Sequence, residues 1–122
     1  MNLVKSYAYM CALMLLSSAP LLRATEHAEE AMKHAKKAAH SAGDSSAIQE
    51  HATAALKHIE AAKAAGLNDP EKLKHLLDGE KELRHAVEDA KQFNTSSAGS
   101  EASEALLHLE KAQSQHSGDN PE

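Results

Sequence analysis

The chain has 122 residues, with 13 Lys or Arg, 18 Asp or Glu and nine His, a formal net charge of −5 with histidine neutral. That length predicts a single domain; one cysteine and no tryptophan argue against a disulfide scaffold or a thiolate metal site, and the acidic balance argues against a nucleic-acid partner.

The chain opens with MNLVKSYAYMCALMLLSSAPLLRA, in which Lys5 precedes an apolar run from about Tyr7 to Leu22. A basic start, a short apolar stretch interrupted by Ser17, Ser18 and Pro20, and the small Ala24 predict a secretory signal peptide over residues 1–24. A membrane span needs about 20 apolar residues in a row, so no stable membrane association is expected after cleavage. Cys11 leaves with the leader. Of the basic residues only Lys5 and Arg23 lie in it and no acidic residue does, so the remainder carries 11 basic groups, 18 acidic groups and all nine histidines. Such a surface favours cations or a basic protein as partners.

Ala, Leu, Lys, Glu and Gln dominate the rest, and short breaks divide it into four predicted helices, 26–41, 47–65, 70–92 and 100–115, in a domain over 25–116 with a tail at 117–122. The stretch SAGDSS ends the first near Gly43, and Ser46 with Gln49 has capping-box spacing for the second. Gly66 ends the second; Asp69 as N-cap and Pro70 at the first helical position start the third. The stretch FNTSSAGS separates the third from the fourth. Connections this short force neighbours to run antiparallel, which predicts an all-α, up-down-up-down antiparallel four-helix bundle.

A unit recurs when the segments are aligned on histidine: HAEEAMKHAKKA from His27, HATAALKHIEAA from His51, DGEKELRHAVED from Asp78 and EASEALLHLEKA from Glu101. The eighth position is His34, His58, His85 and His108, preceded two places earlier by Met32, Leu56, Leu83 and Leu106. Positions seven apart return to nearly the same helix face about 10.5 Å along the axis, so the repeat lays a stripe and not a chelate. The apolar residues of the first helix (Ala28, Ala31, Met32, Ala35, Ala39, Ala42) and the second (Ile48, Ala52, Ala55, Leu56, Ile59, Ala62) centre roughly 90° from that stripe. The fourth behaves alike through Ala102, Ala105, Leu106 and Leu109, so the stripe borders the core and reaches water. In the third, Leu73, Leu76, Leu77, Leu83 and Val87 lie nearly opposite His85, which predicts more exposed histidines there. A core so rich in alanine buries little area per residue and predicts modest stability.

Chelation along one helix needs ligands three or four apart. The third helix offers His75, Asp78, Glu82, His85 and Asp89 at steps of 3, 4, 3 and 4; the first offers His27, Glu30 and His34; the fourth offers Glu104 and His108. No histidine or carboxylate stands between His51 and His58, so a site there requires an adjacent helix. Imidazole with carboxylate suits Zn(II), Cu(II) and Ni(II), and the lack of cysteine beyond the leader disfavours Cu(I). Cleavage after Ala24 would also set His27 third from a free amine, a square-planar nitrogen set suited to Cu(II) or Ni(II).

Each histidine alone has a plainer reading as a solvated side chain on a polar face, and His40 and His116 near helix C-termini are accounted for by the helix dipole. The whole pattern has its rival too, an acidic helical interaction protein whose histidines are solvated or sense pH. No enzyme is expected: only Glu82-Leu-Arg-His85 fits the Glu-x-x-His of a di-iron bundle, and it points away from the leucine stripe.

The stretches HAEEAMKHAKKAAHSA, EHATAALKHIEAAKAAG and ELRHAVEDAK resemble those of the small metal-binding protein family, with likeness over most of Thr25 to Lys111. The resemblance implies an exported, periplasmic bacterial four-helix bundle that reversibly binds several divalent metal ions, copper prominently, as a scavenger or buffer. It maps His27, His34, His51, His58, His85 and His108 onto the repeat histidines, with Asp78 and Glu101 standing where the repeat would have His.

Overall fold

Each helix starts and stops for a local chemical reason. In the computed structural model, which describes residues 19–41 and 43–114, these are α1 (Ala19–His40), α2 (Ser45–Ala64), α3 (Pro70–Lys91) and α4 (Thr95–Ser114). Residues 1–18 of the expected leader, Ala42, and residues 115–122 with His116 and the expected tail lie outside the described residues. α3 starts as its sequence predicts: the Asp69 carboxylate accepts from the Glu71 and Lys72 N–H groups at 3.0 and 3.2 Å, with Pro70 next to it. α2 starts two residues before its predicted bound, on Asp44 and not on Ser46. The Asp44 carboxylate accepts from the Ala47 N–H at 3.0 Å. A full negative charge at the positive end of the helix dipole is a better acceptor there than a serine hydroxyl. α4 begins five residues before the predicted 100, because Asn94-Thr95-Ser96-Ser97 is itself a helix start, with the Ala98 N–H donating to the Asn94 carbonyl at 3.0 Å. α1 begins at Ala19, through the expected cleavage point, with Ala24 fully buried.

Two helix ends share one device. Gly66 sits at φ +96°; its N–H donates to the Lys63 carbonyl at 3.1 Å and the Leu67 N–H reaches back to the Ala62 carbonyl at 3.3 Å. This satisfies the last carbonyls of α2. After α3 the same pair of bonds forms around Phe93, from Phe93 to Ala90 at 3.0 Å and from Asn94 to Asp89 at 2.9 Å. Phe93 takes φ 60° and is 82 % exposed, a conformation that costs an L residue about 1 kcal/mol where glycine would pay none.

The four helices form an all-α antiparallel bundle. α1 packs most closely with α2 and α3 with α4, and these two hairpins lie on one another as layers through α2 with α3 and α1 with α4. Alanine makes the close approach within a layer feasible. Ala31, Ala35, Ala38, Ala52, Ala55, Ala62, Ala86, Ala102 and Ala105 are all fully buried, and the large fully buried side chains are Ile48, Ile59, Leu76, Leu83 and Leu109. Leu77, expected in the core, is 46 % exposed, whereas Gly79 and Glu80 of α3 are buried. α3 is rotated so that Gly79 meets α4: a Cβ there would lie 3.2 Å from Leu109 and 3.4 Å from the Ala105 carbonyl. Among the described residues no helix is long and apolar enough to cross a membrane.

Glu80, the one buried charged residue among the described residues, ties the layers together. Its carboxylate accepts from Lys63 of α2 at 2.8 Å and from Arg84 at 2.7 Å, and Lys63 also pairs with Glu60 at 2.8 Å. Burial pushes the Glu80 carboxyl up, but the Lys63 and Arg84 hydrogen bonds outweigh it and hold it below the usual carboxylate range. A depressed carboxyl stabilises the fold above its unfolded pKa of about 4.3, and that contribution is lost as pH falls through the folded value. Glu80→Gln is expected to cost about 2 kcal/mol at pH 7, the scale of a charge-assisted hydrogen bond left unmade. Thermal melts at pH 7 and pH 3 check this: the gap between variant and wild type should shrink at the lower pH.

Candidate functional site

The histidine stripes of α1 and α2 meet along one groove. His27 Nδ1 lies 3.2 Å from His58 Nδ1, so one ring donates and the other accepts. The His58 ring stacks on His34 with centroids 5.5 Å apart, and His34 in turn lies 5.9 Å from His51. The order along the groove is therefore His27, His58, His34, His51, a zigzag that alternates between the helices. Glu30, one turn from both His27 and His34, joins His34 and His58 in a group whose ligand atoms all lie within 4.8 Å of one another. Bonds of 2.0–2.1 Å to a tetrahedral ion imply ligand atoms about 3.3 Å apart, so rotamer adjustment closes the group without backbone movement. In the free chain Glu30 is held by Lys33 at 2.6 Å, and that hydrogen bond lowers its carboxyl below the usual range. Lys33 engages only Oε1, so Oε2 is the oxygen open to an incoming ion.

A second group forms between α3 and α4, where His75, Asp78 and His108 also place ligand atoms within 4.8 Å of one another, the two rings 6.3 Å apart. Of the five residues aligned on α3, the structure brings only His75 and Asp78 to His108. His85 is ten residues on from His75, some 80° short of three full turns, and it projects into solvent. Glu82 and Asp89 lie farther along the groove, opposite Glu101, and Glu104 is exposed. Among the described residues no three-ligand group includes His27, His51, Glu82, His85, Asp89 or Glu104. His40 fulfils its expected role at the end of α1, its Nδ1 2.7 Å from the Lys36 carbonyl.

The imidazoles of both groups are short of partners. Of the five buried side-chain polar atoms without a hydrogen bond among the described residues, three are Nδ1 of His34, His75 and His108. A buried polar atom left unsatisfied costs about 1–3 kcal/mol, which a ligand at that atom relieves. Burial lowers the pKa of His34, and the neighbouring His58, Lys37 and His51 lower it further against the pull of Glu30. Its ring is thus kept neutral, the form that binds metal.

The two grooves are copies of one plan. His27, Glu30 and His34 of α1 recur 48 residues later as His75, Asp78 and Glu82, and His51 and His58 of α2 recur 50 residues later as Glu101 and His108. The outer rung is His with His in both hairpins (His27 with His58, His75 with His108); the inner rung is His34 with His51 in the first and Glu82 with Glu101 in the second. Sequence reasoning noted Glu101 only as a substitute for histidine. Burial raises its carboxyl, the nearby Asp89 raises it further, and its Oε2 is buried without a partner. A raised carboxyl works against the fold as pH rises above its unfolded value, and neutralising it removes that cost. Glu101→Gln is accordingly expected to raise the Tm of the metal-free protein at pH 7, with the difference vanishing near pH 4 in a calorimetric series.

The model of one protein family, described as small metal-binding protein, matches residues 1–112. No curated protein matches the chain.

Proposed function

From the premise that this chain belongs to the small metal-binding protein family, we propose that it is a periplasmic buffer or scavenger of divalent transition metal ions, Cu(II) foremost and Ni(II) or Zn(II) as well. The ions are cargo, held by Glu30, His34 and His58 in one groove and by His75, Asp78 and His108 in the other, and no catalytic step is assigned to the protein. The observation that carries this reading is the coincidence of the unpartnered buried imidazole nitrogens with both ligand groups. Imidazole and carboxylate on a shallow, half-buried surface favour borderline cations bound with exchangeable water, which suits reversible storage better than a permanent structural ion. The leader predicted over residues 1–24 supports export.

Equilibrium dialysis against Cu(II), Ni(II) and Zn(II) tests the reading, with His34, His58, His75 and His108 replaced together by alanine as the control. Wild type should retain metal and the variant should lose tight Zn(II) binding, keeping Cu(II) or Ni(II) at most where His27 stands third from a free amine. Equal retention by the two would favour an acidic helical interaction protein with solvated or pH-sensing histidines. Because protons compete for the same nitrogens, metal should be released as pH falls below about 6.5, the ordinary imidazole value. The lowered His34 pKa means that protons compete less for that ring than for an ordinary imidazole. The metal-free fold follows the same sign: the depressed His34 favours folding above the unfolded pKa, and that advantage is lost as pH drops through the folded one. Metal retained unchanged at pH 5 would rule out histidine ligation.

A further inference from the structure

The groove between α1 and α2 has more imidazoles than one ion uses, and they are shared. His58 lies against His27 on one side, nitrogen to nitrogen at 3.2 Å, and against His34 on the other, with ring centroids 5.5 Å apart. His34 has the same double position, between His58 and His51. We propose that this groove changes its ligand sets with metal load: one ion takes Glu30, His34 and His58 together, and a second ion divides the ladder into its two rungs, His27 with His58 and His34 with His51. The inference rests on the metal-binding reading above and adds how the site responds to supply.

The division follows from counting donors. Neither His27 nor His51 belongs to the three-ligand group, so neither is a ligand of the first ion. Four imidazoles and one carboxylate serve two ions only if His34 and His58 part company. The first ion then loses a direct ligand when the second arrives, and the two rungs place positive charges within a few ångströms to about 10 Å of each other, two helical turns at most. Both effects make the second ion bind more weakly than the first. The second hairpin is an internal contrast. Its outer rung, His75 with His108, is retained, but Glu82 and Glu101 occupy the inner rung. It therefore has no second pair of imidazoles to divide between two ions, since His85 alone joins Glu82, Asp89 and Glu101 there. In the whole chain two ions bind at low supply and a third is taken up, more weakly, when supply rises.

The test uses the full chain with His75→Gln and His108→Gln to silence the second hairpin, titrated with Zn(II) and followed by calorimetry and by histidine side-chain NMR. Two ions should bind, the second at least tenfold more weakly. At one equivalent the His34 and His58 ring nitrogens should show the large shifts of direct coordination, and His27 and His51 only the small shifts of rings in contact with them. At two equivalents all four should show the large shifts. Adding His51→Gln should leave the first ion's affinity within about twofold and abolish the second. Conversely, Glu82→His with Glu101→His in the otherwise unaltered chain should raise total capacity by one ion. The proposal is overturned if all four rings show the large shifts together at one equivalent, as in a single four-histidine site, or if His51→Gln leaves the stoichiometry unchanged. Absence of Zn(II) binding in the unaltered chain as well would instead defeat the metal-binding reading itself.

Discussion

Replacing His34 and His58 together by alanine is expected to weaken Zn(II) binding in the α1/α2 groove by about a thousandfold or more, while His40→Ala leaves it unchanged. The two imidazoles belong to the only three-ligand group among the described residues of that groove. Groups that merely orient a metal ligand typically contribute about 10- to 100-fold in affinity, so loss of two direct ligands has to exceed that. What remains is at most the two-ligand pair of His27 and Glu30 on α1, with Glu30 engaged by Lys33, in place of the three-ligand group. His40 is the appropriate control, because its nitrogen faces the Lys36 carbonyl at 2.7 Å. The same experiment reports on stability. Metal that binds only the folded chain stabilises it by about 2.7 kcal/mol at a hundredfold excess over Kd. In a bundle of this size that corresponds to roughly 10–20 °C in Tm. The metal-dependent rise should shrink in the double variant to the part contributed by the α3/α4 groove. Isothermal titration and thermal melts with and without Zn(II) measure both, and an undiminished affinity in the double variant would defeat the assignment.

Gly79→Val is expected to have the largest effect on architecture, lowering stability by about 2 kcal/mol and Tm by about 10 °C. Gly79 is buried where α3 meets α4, and the first carbon of any side chain there would lie 3.2 Å from two atoms of the buried Leu109. A β-branched residue adds two more carbons against the Ala105 carbonyl, only 3.4 Å from that first carbon. Helix propensity offsets part of this, since glycine within a helix costs about 1 kcal/mol relative to alanine. Gly79→Ala is therefore expected to be close to neutral. The functional consequence of the valine variant is local. Forcing α3 from α4 separates His75 and Asp78 from His108, so the second site should weaken by more than tenfold while His34 and His58 keep theirs. Site-resolved NMR titration distinguishes the two grooves, and equal loss at both would show that the hairpins are not independent.

Much of the fold was legible because its determinants are local. Asp69 before Pro70 and Gly66 past the last turn of α2 each solve a problem of unpaired backbone groups within a few residues. The stripe bordering the core was also legible, since helical angle alone sets it. Where local signals compete, the starts differ by two residues at α2 and five at α4: Asp44 outcompetes Ser46 as a cap, and Asn94 with its polar neighbours opens α4 where a linker is expected. Leu77 and Gly79 show the limit more clearly. Periodicity assigns a face by hydrophobicity, but the approach of α4 rewarded the absence of a side chain at Gly79 and left Leu77 half exposed.

The candidate site was legible as a set of residue types and not as pairs. Spacing along α3 grouped five residues, yet only His75 and Asp78 share a group, and their third member comes from α4. Register between helices depends on loop length and side-chain volume together, which no single segment records. The two-hairpin plan became visible only through the pairing of His27 with His58 and of His75 with His108. The per-helix alignment on the eighth residue had instead matched His34 with His58 and His85.

The layering of the two hairpins has an electrostatic consequence. With helix axes about 8–10 Å apart, grooves on the outer sides of two stacked layers lie roughly 20 Å from one another. At physiological ionic strength the screening length is about 8 Å, so a divalent charge in one groove is nearly invisible to the other. Filling one hairpin raises no barrier to filling its counterpart. On the metal-binding reading, the two grooves then titrate with free metal side by side, and the charge taken up by one leaves the affinities of the other unshifted.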